Sequence, residues 1–126
     1  TSAAFVERKT AFQTAAGGLF DYIVVNRLDV RPSEREPVEL TADDPAELLV
    51  LWLNELIFRA ETRHRLYSEY AIRVSDDGQG LTGTIAGEPI DTDRHQLDHE
   101  VKAVTRHGLA LEADDDGWWA EVILDI

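Results

Sequence analysis

The chain has 126 residues, the length of one domain, with 44% hydrophobic residues and 12 basic against 25 acidic ones for a formal net charge of −13. It contains no cysteine, which excludes a disulfide framework, a cysteine nucleophile, Cys-ligated zinc and iron–sulfur clusters. The negative field repels nucleic acid and anionic membrane, so direct binding to either is not expected, whereas cations or a basic protein partner suit it.

In chain order, Phe5, Phe12, Ala16, Leu19, Phe20 and Ile23 recur at steps of three, four and seven. That stripe predicts an amphipathic helix over residues 3–25, with Gly17-Gly18 as a close contact or a break. Residues 26–42 are polar, and the pairs Leu28/Val30 and Val38/Leu40 predict two short strands around a charged loop tip at 31–37. Asp43-Asp44-Pro45-Ala46-Glu47 is a helix start: Asp44 as N-cap, Pro45 at the first helical position, Glu47 at the capping-box position. The helix is predicted to run to about Arg63. Its first half, from Leu48 to Phe58, is apolar almost all round, which predicts burial on most sides. Tyr70, Ile72 and Val74 then alternate as a strand, residues 76–80 form a hairpin turn, and 81–88 return, with Gly83 and Gly87 marking a bulge or a close approach. Residues 91–100 are acidic and irregular or briefly helical. A strand over 101–112, a turn at 114–117 and a last strand over 118–126 complete the chain. Helix, hairpin, helix and then strands predict a single α+β domain over 1–126, with two helices packed on a mixed or antiparallel sheet.

No apolar run approaches the roughly 18 residues of a membrane span, and no signal peptide is evident, which together predict a cytoplasmic protein. Only Lys9 and Lys102 are lysine, the other ten basic residues being arginine. A high-salt cytoplasm and a GC-rich genome would each produce that bias.

Several clusters invite chemistry. His95-Gln96-Leu97-Asp98-His99 has the i, i+4 imidazole spacing of zinc proteases, but Gln96 stands where the general base must be; the segment reads as an acidic loop with solvent-facing histidines. Asp114-Asp115-Asp116-Gly117 lacks the alternating carboxylates of a calcium loop and reads as a solvated turn. Asp125 follows an apolar strand and neighbours Ile126, whose terminal carboxylate would add to a concentrated negative charge; a hard cation or plain solvation would relieve it. Lys102 reads as a strand-edge surface lysine able to pair with a carboxylate or a phosphate. His107 is expected half-buried on the side of Val101 and Leu109. Trp118 and Trp119 must point to opposite faces, one of them toward solvent or a partner.

From Asp44 onward the chain resembles the archease family. The residues that carry the likeness are the stretch from Asp44 to Leu56, Gly87-Glu88-Pro89 followed by His95, the run Glu100-Val101-Lys102-Ala103-Val104-Thr105-Arg106-His107-Gly108-Leu109, and the close from Trp119 to Asp125. Residues 5–25 look like the family's first helix.

The resemblance implies an α+β fold and a non-enzymatic activator of an RtcB-type tRNA ligase, promoting its guanylylation and multiple turnover. It also implies an acidic site for a divalent cation (calcium, magnesium or manganese), with Asp125 and Ile126 as ligands and His95, Glu100, Lys102 and His107 as partner-contacting or site-supporting residues. The family's opening strand, with a His-Thr-Ala-Asp-like motif whose Asp completes the cluster, precedes the point at which this chain starts. A metal-independent, chaperone-like module for an RNA-modification enzyme and a metal-dependent hydrolase are the competing readings; the second lacks a placed base.

Overall fold

A computed structural model describes the backbone of residues 8–114 and 117–125 and the side chains of residues 11–104. The elements in chain order are α1 (Arg8–Ile23), a 3-10 turn (Arg27–Asp29), β1 (Glu34–Thr41), α2 (Pro45–Arg63), β2 (Arg65–Val74), β3 (Gly80–Pro89), β4 (Ala103–Asp114) and β5 (Gly117–Asp125).

α2 begins as its sequence dictates. The Asp44 carboxylate accepts the Glu47 backbone N–H at 2.8 Å and Pro45 is the first helical residue. The helix ends at His64, which adopts the left-handed conformation (φ 52°) and returns its N–H to the Ala60 carbonyl. Leu48, Leu49, Trp52, Leu53, Leu56 and Ile57 are buried, two adjacent rows on one face. Leu51 and Phe58, on the other side, are exposed, Phe58 by 57%. Burial on most sides therefore holds for all but one strip: Leu51 and Phe58 face outward, and the other residues of 48–58 are buried or half-buried.

The α1 stripe is as predicted in its described part. Phe12, Ala16, Leu19 and Phe20 are buried, and Ile23 packs against them partly covered; Phe5 lies outside the described residues. Trp52 joins the two helices, its indole N–H donating to the Phe12 carbonyl at 3.0 Å. Phe20 stacks against Tyr70 and meets Tyr67 edge-on.

β3 is the central strand of an antiparallel sheet ordered β1-β3-β2, and β4 and β5 form a separate antiparallel hairpin. The expected hairpin between Leu28/Val30 and Val38/Leu40 does not form. Residues 27–29 make a 3-10 turn, and β1 starts at Glu34, inside the predicted loop tip, and pairs with β3. The reason is tertiary. The charged residues of β1 find partners across the sheet: Arg35 bonds Thr84 and Glu69, and Glu36 accepts the Tyr67 hydroxyl and meets Arg59 and Arg63 from α2. Pro37, which has no N–H to give, is tolerated because β1 is an edge.

The β2–β3 turn is where it was expected, with Gly78 at φ 71° and the Asp77 carboxylate accepting the Gln79 N–H. Both strand glycines mark close approaches. Gly83 has φ 148°, and a Cβ there would lie 2.2 Å from the Ala71 carbonyl oxygen. At Gly87 a Cβ would lie 1.8 Å from the Leu66 carbonyl oxygen, opposite the bulge that breaks the β2 register between Tyr67 and Glu69.

Gly87→Ala is therefore expected to lower the melting temperature by roughly 10 °C or more, since backbone cannot yield to the added methyl. Gly80→Ala is the control. Its nearest neighbour would be the Ser75 hydroxyl at 3.5 Å, an ordinary contact, and thermal denaturation should show little change.

Candidate functional site

The most constrained polar group among the described residues is Glu88, at the end of β3 and only 6% exposed. A buried carboxylate must be answered by donors. Glu88 Oε2 accepts the Arg31 backbone N–H at 2.5 Å, and its other oxygen is paired with the Arg94 guanidinium. His95 Nδ1 accepts the Asp91 N–H at 3.0 Å, so the ring proton sits on Nε2 and is donated to Glu88 at 3.1 Å. Burial works against ionisation, but the hydrogen bonds from Arg94, Arg31 and His95 outweigh it and lower the Glu88 pKa to about 2.

His95 is consequently not solvent-facing, as the sequence led us to expect, but 3% exposed. The loop containing it folds inward because Glu88 needs its donors. His95 therefore holds Glu88 from inside the loop. His99, four residues on, is exposed as expected and stacks on Tyr22 with ring centroids 4.4 Å apart.

The same loop is fastened to the end of α1. Val25 N–H donates to the Gln96 carbonyl at 2.7 Å, Asp98 N–H to Ile23 at 2.8 Å, and the Asn26 side chain bridges Arg94 and Gln96. Residues 91–99 are thus irregular in backbone but fixed in place. They deliver the chain to the start of β4.

At that start, Glu100 and Lys102 are both exposed. Ala103 pairs with Asp125 across the β4–β5 hairpin, so the Asp125 backbone lies at the same end of the hairpin as Glu100 and Lys102. The side chains of Asp125, His107, Trp118 and Trp119, together with Ile126, Asp115 and Asp116, lie outside the described residues. Among the described residues, no group of three or more His, Asp or Glu is arranged to hold a metal ion. His107 falls in a stretch where the register slips: Val104 faces Leu124, but Leu109 faces Val122.

Two residues with a positioning role were not singled out from the sequence by themselves. Glu88 was quoted only within the family likeness, and its sole local signal is an acidic residue following the alternation of 81–87. Asn54 is the clearer omission. Its side chain donates to the Val104 carbonyl and accepts the Val104 N–H, both at 2.8 Å. It thereby joins α2 to the strand that pairs with Asp125. A single amide amid the apolar run 48–58 was the signal available.

A family model described as the Archease protein family (MTH1598/TM1083) matches residues 6–126. The protein archease of Methanopyrus kandleri is 39% identical over 115 residues, 89% of this chain and 81% of the relative. That of Methanothermobacter thermautotrophicus is 38% identical over 117 residues, 91% and 82% of the two chains. The solution structure of Methanobacterium thermoautotrophicum protein 1598 superposes with a TM-score of 0.77 at 34% identity, covering 99% of this chain and 89% of that one. A crystal structure of an archease, possible chaperone, from Thermotoga maritima gives a TM-score of 0.63 at 15% identity over 100% and 87%, a likeness of fold alone.

Because the Glu88 pKa is lowered on folding, its contribution to stability is complete above the ordinary carboxylate pKa of about 4.3 and is lost as pH falls through about 2. Glu88→Gln should lower the melting temperature at pH 7 by roughly 10 °C, since it leaves Arg94 without its counter-charge. The gap between variant and wild type should then narrow as pH falls from about 5 toward 2. A gap independent of pH in calorimetry would show that the Glu88 charge is not what stabilises the loop.

Proposed function

Since the chain belongs to the archease family, we propose that it is a non-catalytic activator of an RtcB-type RNA ligase in tRNA splicing and RNA repair. It promotes guanylylation of the ligase and its multiple turnover, acting in the cytoplasm through protein contact rather than by binding RNA. The observation that carries this reading is the pairing of Ala103 with Asp125, which brings the family-like segment Glu100–Ala103 and the acidic end of β5 to one edge of the hairpin. No helix among the described residues is long and apolar enough to cross a membrane.

The donors at this edge are of one chemical kind. In the family reading Asp125 would contribute a carboxylate and Ile126 an oxygen, and exposed Glu100 lies on the segment that leads into the paired strand. Oxygen donors of this type suit calcium, magnesium or manganese, and not a soft metal. Such an ion, when bound, supplies positive charge that relieves carboxylate repulsion and presents an electrophilic surface to the ligase. The chain's own residues do the rest. Asn54 anchors β4, the strand that pairs with the Asp125 end of β5, and Glu100 and Lys102 are exposed just before it, where they can meet the partner.

The test is RNA ligation with catalytic amounts of the cognate RtcB-type ligase, GTP and Mn²⁺, with and without this protein. Wild type should convert single into multiple turnover. Asp125→Ala should return turnover to the level of the ligase alone, and should also lose the calorimetric heat of divalent-cation binding. Full stimulation by Asp125→Ala would remove the acidic site from the mechanism. Absence of stimulation by the wild type would overturn the activator reading in favour of a metal-independent, chaperone-like role.

A further inference from the structure

A cavity of about 380 Å³ opens where the C-terminal turn of α2, the start of β2 and residues 97–101 converge. Its size is at the low end of the roughly 300–1,000 Å³ of ligand pockets, suited to a side chain or two rather than a large cofactor. The inner wall is apolar: Ile57, Leu66, Ile90 and Val101. Leu97 also lines it and remains 47% exposed. A large apolar side chain left in water beside an apolar cavity marks a surface that gains from being covered.

The rim is acidic. Glu61, Asp98 and Glu100 line the cavity and are exposed, with Asp98 meeting the His99 ring at 3.1 Å and His64 completing the rim. The one cationic side chain there, Arg65, is held by Glu34 and lies 3.8 Å from Glu36, so its charge is answered outside the cavity. The C-terminal end of α2 adds the partial negative charge of a helix terminus. An anionic ligand is therefore repelled, and a purely apolar one leaves Glu61 and Glu100 unanswered.

We propose that this cavity is a docking site for a basic segment of a protein partner, taking an apolar side chain inside while an adjacent arginine meets Glu61 and Glu100 at the mouth. The occupant follows from charge complementarity between an acidic rim and a cationic flank, together with the apolar interior. The inference goes beyond the activator reading: the cavity shares Glu100 with the edge at Asp125, but it requires neither Asp125 nor a metal.

The experiment is amide-resolved NMR titration of the full chain, without ligase or metal, using three blocked dipeptides: acetyl-Leu-Arg-amide, acetyl-Leu-Glu-amide and acetyl-Gly-Arg-amide. The Leu-Arg peptide should shift the amides of 60–66 and 97–101 saturably. It should bind about tenfold more tightly than the Leu-Glu peptide, the scale of a few surface charge contacts, with the preference shrinking in high salt. Glu61→Gln combined with Glu100→Gln, both at exposed positions, should abolish that preference while leaving the rest of the spectrum in place. Equal binding of Leu-Arg and Leu-Glu would overturn the proposal, as would equal binding of Gly-Arg and Leu-Arg, a preference retained in the double variant, or shifts elsewhere on the chain. Failure here leaves the ligation assay and the Asp125 result untouched, so the two readings can fall separately.

Discussion

A carboxylate held away from water dictates the irregular half of this fold. Glu88 sits at the end of the central strand, where neither the sheet ladder nor solvent satisfies it. The guanidinium of Arg94, the ring N–H of His95 and the backbone N–H of Arg31 converge on it from two other segments. Once those donors are in place, residues 91–99 have little freedom, and their backbone is tied to the end of α1 as well. The position of residues 97–101, and with them the cavity rim and the first residues of β4, follows from this burial. Ion pairing in a dry site is a poor source of net stability, and removing one partner is costly. The cluster therefore fixes where the loop goes more than it strengthens the domain.

The second constraint works through α2. One face of this helix is core, and from its middle Asn54 reaches the backbone of Val104 with both a donor and an acceptor. The amide thus stands in for a neighbouring strand at the beginning of β4. Hydrogen bonds of this kind contribute only about 1 kcal/mol each in net terms, but leaving a buried backbone group unpaired costs more. Among the described residues the β4–β5 hairpin shares no sheet with β1, β2 and β3, and Asn54 is a polar link that aligns its open end with α2. Glu88 fixes residues leading into that end, and Asn54 fixes the end itself.

What the sequence made legible was local. The N-cap Asp44 with Pro45, the α1 stripe, the turn at 76–80 and the close approaches at Gly83 and Gly87 each depend on residues near one another in the chain, and each is present. The α+β class followed from the order of those elements. The failures share a cause as well. β1 extends through Glu34, Arg35 and Glu36 because their partners come from β2, β3 and α2; read along the chain, the same charges look like a loop tip. His95 looks exposed until Glu88 is known to be buried. Family likeness supplied what spacing could not, the interest of Asp125. It included Asn54 only as one residue of the stretch from Asp44 to Leu56, and the role of that residue depends on a contact fifty residues away.

Charge connects the two proposed surfaces. Among the described residues, Arg27, Arg35, Arg59, Arg63, Arg65 and Arg94 are each engaged by a carboxylate of the chain itself. Exposed pairs of this kind contribute little to stability, typically about 0–1 kcal/mol. Their larger effect is on the outward field: the cations are neutralised locally, and the excess of 25 acidic over 12 basic residues is left to face the surroundings. A long-range field of one sign speeds encounter with an oppositely charged partner without choosing the contact that is finally made. Choice requires shape and dry surface, which the cavity beside Leu97 offers. With six of its ten arginines paired internally, an acidic chain of this kind would, on the two proposals, approach a basic protein through its net charge and hold it through a few apolar contacts.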